Sequence, residues 1–151
     1  EYEVNTFTEW EFLTELVRGT NCGLLLDVNN VFVSSFNHGY EPETYLNNLP
    51  HESIVQMHIA GPTHCGQYMI DTHDQPVPDQ VWDLYRLAYE LTDGVSTFLE
   101  WDANIPEYPE LVEELFKAQR MLNGEHIEQE VMVTESAVSN PVGFHMTVGH
   151  E

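Results

Sequence analysis

LLLDVNN, residues 24–30, carries an apolar run that stops abruptly on a carboxylate and two amides. Leu24, Leu25 and Leu26 do not alternate with polar residues, the pattern of a parallel strand covered on both faces. Asp27 arrives where such a strand leaves the core, and Asn29 and Asn30 follow it. In parallel α/β sheets, catalytic side chains gather at the carboxyl ends of the strands. Two further stretches repeat the plan: IVQMH ends on His58 and STFLE ends on Glu100. Three apolar strands that each close on a metal-competent side chain predict a parallel α/β fold with its site along one rim.

Working outward from 24–30, the chain falls into βα units. A helix is expected over residues 8–18, opened by a capping box of Thr8 and Glu11 with Phe7 and Phe12 at hydrophobic-staple positions. Leu13, Leu16 and Val17 continue its apolar face, and Gly19 is placed to close it. Strands are expected over 23–28, 54–59 and 95–101, parallel neighbours in that order. Residues 31–41 read as a long loop at the ligand-bearing end, and a short helix over 42–49 lies between Pro42 and Pro50. Residues 60–78, rich in Gly, Pro, His and Asp, read as a long irregular loop. Helices follow over 79–92, with Val81, Leu84, Tyr85, Ala88 and Leu91 on one face, and over 108–122, with Leu111, Leu115, Ala118 and Leu122 in register. The pattern fades after residue 123. Residues 124–151 hold an acidic patch, an apolar run at 131–133 and a Ser/Asn/Pro/Gly stretch, as a tail or linker would.

The charge balance narrows the partners. Among 151 residues, 26 are acidic and only Arg18, Arg86, Lys117 and Arg120 are basic, a formal net charge of −22. Such a surface repels phosphate backbones, which excludes nucleic acid, and suits cations, metal ions or basic peptides. No apolar run approaches the ~20 residues that span a bilayer, and no signal-peptide pattern opens the chain, so no membrane is expected. Cys22 and Cys65 are too few for a disulfide framework, which agrees with a cytoplasmic protein, and Cys65 reads as a free thiol.

Singly, the candidate site residues have plain readings: Asp27 as a helix cap, His58 as a core histidine, Asp71 and His73 of IDTHD as parts of an Asx-type turn. Together they ask for a cation. A buried carboxylate without a partner is costly, and four basic residues cannot serve 26 acids. In an extended chain, Asp71 and His73 put a carboxylate and an imidazole on one side. Imidazole and carboxylate donors without cysteine suit iron, manganese or zinc. His38 and His64 are expected to be exposed, and His51, His126, His145 and His150 to be surface residues; Trp101 should point away from Glu100.

LLLDVNNVFVSSFNHG, VQMHIAG, IDTHDQPVPD and LEWDANIP, in that order, resemble the family known as domain of unknown function 692 (UPF0276). That family includes the multinuclear non-haem iron enzymes of methanobactin biosynthesis and related peptide-modifying proteins. The resemblance runs from about Thr8 to Leu122. It implies a xylose-isomerase-like TIM (β/α)8 barrel, of which this chain holds the last three βα units plus the preceding helix. It also implies two or three iron ions, mixed Fe(II)/Fe(III), with O2 as co-substrate. The reaction would be oxidative modification of cysteine in a ribosomally synthesised precursor peptide, as oxazolone–thioamide formation or excision of the cysteine β-carbon, with a partner protein for peptide delivery. Carried over by position, the metal ligands are Asp27, Asn29, His58, Asp71, His73 and Glu100, with Asp74 supporting them. The family's earlier strands, with two histidines and a bridging glutamate, have no counterpart here. A complete barrel needs ~250 residues, so residues 1–123 read as the C-terminal portion of the barrel domain, inactive alone. Two alternatives are a metal-dependent TIM-barrel hydrolase or isomerase and a non-enzymatic metal-binding fragment.

Overall fold

The strand at the centre of LLLDVNN is followed, and not ended, by regular structure. In the computed structural model, which describes residues 6–124, α1 (Glu9–Thr20) leads into β1 (Leu24–Asp27), α2 (Val28–His38) and α3 (Pro42–Asn48). A 3-10 turn at His51–Ser53 precedes β2 (Ile54–Ile59), then β3 (Gly61–His64) and β4 (Met69–Gln75). The chain continues through α4 (Asp79–Leu91), β5 (Ser96–Leu99) and α5 (Tyr108–Leu122). The expected tail beyond 124, its apolar run at 131–133, and His126, His145 and His150 lie outside the described residues.

β1, β2 and β5 form a parallel sheet in the order β1-β2-β5, the expected neighbours in the expected order. β1 and β5 are shorter than the sequence suggests, but the amide of Glu100 donates to the Ile59 carbonyl (3.0 Å) and carries the ladder one residue past β5. The Cα register sets Asp27 beside His58 and His58 beside Phe98, so the ends of the strands are level. Leu26, Met57 and Ile59 are buried in one core with Leu46, Val77, Val81, Leu84 and Tyr85 of the helical layer and its connections. A mixed α/β chain with a parallel sheet of this kind is compatible with part of a TIM-barrel-like domain. Among the described residues, no helix is long and apolar enough to cross a membrane.

Four local expectations are corrected. Most of the loop expected over 31–41 is α2, capped by Asp27, whose Oδ1 accepts from the Asn30 amide (2.8 Å), and closed by Gly39 at φ 70°. Its Val, Ser and Asn residues are poor helix formers, yet burial of Val28, Val31 and Ser35 along one side overrides that preference. The irregular loop expected over 60–78 contains the antiparallel hairpin β3–β4. The third concerns α1. Its capping box forms, with the Thr8 amide donating to Glu11 Oε2 (2.7 Å), but the helix runs through Gly19 and closes on Asn21 at φ 56°. Phe7 and Phe12 are 50% and 56% exposed, so they make no buried staple. On α5, Leu115 and Leu122 are exposed and the buried positions are Glu114 and Met121. Glu114 accepts from the Val77 amide (2.9 Å) and pairs with Lys117, which turns that face inward.

Candidate metal centre

Asp27 reaches the rim because β1 ends on it, and its orientation is fixed because it also begins α2. One carboxylate oxygen is held by the Asn30 amide; the other, Oδ2, lies 3.6 Å from His73 Nε2. Asn29, one residue into α2, is fully buried and donates through Nδ2 to Asp71 Oδ1 (2.5 Å), while Asn30 Nδ2 donates to Asp71 Oδ2 (2.8 Å). Both oxygens of Asp71 are therefore oriented from the first turn of α2. His73 sits in β4 at φ 50°, a left-handed conformation that a non-glycine residue adopts at a cost of about 1–3 kcal/mol. Its Nε2 bonds Asp71 Oδ1 (3.0 Å), and its Nδ1 lies 3.2 Å from Glu100 Oε2 and 3.6 Å from Asp102 Oδ2. Glu100 Oε2 is shared with His58 Nδ1 (2.8 Å).

All six candidate ligands thus meet at one rim. Asp27, His73 and Glu100 can each offer one ligand atom, all within 4.8 Å of one another. His58 and Asp71 join that trio by hydrogen bonds, and Asn29 joins through Asp71. Two buried polar atoms here lack a hydrogen-bond partner: Asn29 Oδ1 and His73 Nδ1, the latter close to Glu100 but off the angle a hydrogen bond requires. Orphaned atoms of this kind call for an explanation, and a cation supplies one. The cationic side chains of the described residues pair elsewhere: Arg18 with Glu15, Arg86 with Asp83, Lys117 with Glu114 and Arg120 with Glu113. The donor set fits a hard or borderline metal ion.

The protonation pattern shows the same unmet negative charge. The hydrogen bond it donates to Asp71 pushes the His73 imidazole up to about 9 against the effect of its burial, with the charges of Asp71, Asp27 and Glu100 adding to this. Burial raises the Asp27 carboxyl, the Asn30 amide and His73 oppose this, and Asp71 and Glu100 add to it. Burial also acts to raise Asp71, but hydrogen bonds from His73, Asn30 and Asn29 together hold it below the usual carboxylate range. Without a metal, a protonated His73 is the counter-ion of the cluster.

Asp74 is turned to different partners. It is buried, and Thr63 Oγ1 (2.8 Å) and Thr72 Oγ1 (2.5 Å) donate to Oδ1 while Asn104 Nδ2 (3.3 Å) donates to Oδ2. With the Asp102 amide donating to the His73 carbonyl (2.7 Å), this ties the segment after Glu100 onto the hairpin. Sequence reasoning missed Asn30 and Asp102 as rim residues. Asp102 stands two positions after Glu100, the spacing that keeps side chains on one side of an extended chain, and that signal was there to be read. His38 and His64 are exposed, but His51 is half-buried, its Nε2 bonded to the Leu46 carbonyl (2.8 Å). Cys22 and Cys65 are both free.

A family model described as RiPP precursor modification enzyme MbnB/TglH/ChrH matches residues 1–123. UPF0276 proteins are similar along the same stretch. That of Rhizorhabdus wittichii is 47% identical over 116 residues, 77% of this chain and 42% of its own length. That of an Anaeromyxobacter species is 44% identical over 117 residues, covering 78% of this chain and 41% of its own. One from Vibrio vulnificus is 43% identical over 126 residues, 81% of this chain and 43% of its own. The chain spans less than half the length of these curated relatives.

Proposed function

Because the chain belongs to the MbnB/TglH/ChrH family of RiPP precursor modification enzymes, we propose that the whole protein is an iron-dependent enzyme that uses O2 to modify cysteine in a ribosomally made precursor peptide. Asp27, Asn29, His58, Asp71, His73 and Glu100 are its ligands to two or three irons, with Asp74 steadying the hairpin that carries His73. The rest of the barrel, xylose-isomerase-like in plan, supplies the remaining ligands, so this chain is inactive alone; a partner protein delivers the peptide in the cytoplasm. The observation that carries the reading is a buried imidazole ringed by Asp27, Asp71, Glu100 and Asp102, with two polar atoms of the same rim unpartnered.

Bound iron would supply one-electron chemistry and Lewis acidity toward a substrate thiol that side chains lack. The residues of this chain do the rest. Asn30 fixes one oxygen of Asp27 and leaves the other facing the cluster. Asn29 and Asn30 aim both oxygens of Asp71. His73 must surrender its proton to become a ligand, and Glu100 stands between the two imidazoles, its Oε2 2.8 Å from His58 and 3.2 Å from His73. The test is to express the full-length coding sequence, measure metal content and visible absorption, and follow O2 uptake with a cysteine-containing peptide. Iron, colour and peptide-dependent O2 uptake are expected, all lost in Glu100→Ala. Zinc uptake with turnover that needs no O2 would replace this reading with the hydrolase alternative.

A further inference from the structure

A second feature lies at the far end of the helix that starts the metal site. α2 carries Asn29 in its first turn and Phe32 and Phe36 beyond it, and these two rings line a cleft of about 300 Å³ against α3 and α4. Tyr40 and Leu84 complete its apolar wall, and Glu43 and Asp83 stand among the lining residues, of which none is basic. Phe36 is 43% exposed. Among the described residues, the carboxylate of Asp83 pairs with an exposed Arg86 at 3.2 Å, a pairing of a kind worth little in water. The cleft is formed by the helices of consecutive βα units and not by either edge of the sheet, so strands added at β1 or β5 would not close it.

We infer that this cleft is a docking site for the precursor peptide, taking one large apolar side chain flanked by Lys or Arg. The inference rests on the peptide-modifying reading above. An apolar floor with carboxylates at its border selects that combination: burial of the apolar group supplies affinity, and the charges supply register and rate. The net charge of −22 draws in a basic segment and repels an acidic one. From Asn29 to Phe36 is seven residues of helix, ~10 Å at ~1.5 Å per residue. An extended peptide covers that in about three residues at ~3.3 Å each. The recognised side chain therefore lies about three residues from the cysteine presented to the metal centre.

The test uses the full-length protein and three fluorescein-labelled peptides: one with Phe between two lysines, one with Ala replacing Phe, and one with glutamates replacing the lysines. Fluorescence anisotropy should show at least tenfold preference for the first. The double variant Glu43→Lys/Asp83→Lys, whose altered side chains are both exposed, should invert the preference between the Lys- and Glu-flanked peptides by at least tenfold. Equal binding of all three peptides, or an unchanged preference in the double variant, overturns the cleft assignment. So does a dimer, seen by light scattering, that the double variant dissolves. The two readings fail separately. Wild-type protein that takes up zinc and consumes no O2, yet prefers the Lys-flanked Phe peptide in a way the double variant inverts, sinks the oxidative chemistry and keeps the docking site. Iron-loaded, O2-consuming protein that binds all three peptides alike does the reverse.

Discussion

His73 is the residue on which the rim turns, because among the described residues its imidazole lies within 3.6 Å of Asp27, Asp71 and Glu100 together, whereas His58 meets Glu100 alone. Its folded-state pKa of about 9 stands above its ordinary 6.5. A raised pKa stabilises the fold fully below the unfolded value, and that contribution fades as pH rises through the folded one. Metal-free full-length protein should therefore lose stability between pH 6.5 and 9 in chemical denaturation, and His73→Gln should remove that slope. Asp71, held low, acts in the opposite sense: its contribution is present above the usual carboxylate range and is lost in acid. Metal binding below pH 9 should release a proton from His73, seen as proton uptake by buffers of differing ionisation enthalpy in calorimetry. Asp27 separates two roles. Asn caps helices about as well as Asp, whereas Ala costs about 1 kcal/mol. Asp27→Asn should keep the stability of the metal-free protein and lose iron; Asp27→Ala should lose both. An Asp27→Asn protein with a full iron complement would remove Asp27 from the proposed ligands.

At the scale of elements, the hairpin β3–β4 delivers His73, and Gly61 is where it leaves β2. A Cβ on Gly61 would lie 2.1 Å from the Gln75 carbonyl oxygen and 2.3 Å from that of Pro76, backbone that cannot swing aside. Gly61→Ala should cost about 2–4 kcal/mol, in the range of a severe steric insertion, and should lower iron content with it; an unchanged melting midpoint would show that the hairpin yields. The parallel strands were legible because LLL, IVQMH and STFLE are apolar runs of strand length. α2 was not, since its Val-, Ser- and Asn-rich sequence has low helix propensity and the Asp27 cap reads equally as a turn. The hairpin was hidden for another reason: its Gly, Pro, His and Asp residues are held by the network around Asp74 and by cross-strand pairing, which no local pattern displays. The convergence of Asp27, His58 and Glu100 followed from strand ends alone. The part played by Asn30 and Asp102 did not, because it depends on the left-handed turn at His73 and on the loop folded over it.

For the whole molecule, the question is what covers the inner face of the sheet. Below the rim, Leu25 precedes Asp27 by two on β1 and Phe98 precedes Glu100 by two, with the Phe98 ring against His58 at 6.0 Å. Leu25 is 51% exposed and Phe98 56%. On the opposite face Leu26, Met57 and Ile59 are buried against the helical layer. A parallel sheet uncovered on one side is unusual, because crossover helices cover only one face and closure or a second layer must cover the other. This chain spans 41–43% of the length of its relatives, and in a closed barrel the remaining strands would pack against Leu25 and Phe98. Phe98→Ala should then cost little in the 151-residue chain, within about 1 kcal/mol for an exposed site, but about 3–5 kcal/mol in the full-length protein, as for a buried aromatic. Chemical denaturation of both proteins with and without the substitution measures the difference directly. Equal and small costs in both would mean that the inner face stays open in the whole protein, and the barrel would have to be abandoned for an open sheet with the candidate metal centre on its rim.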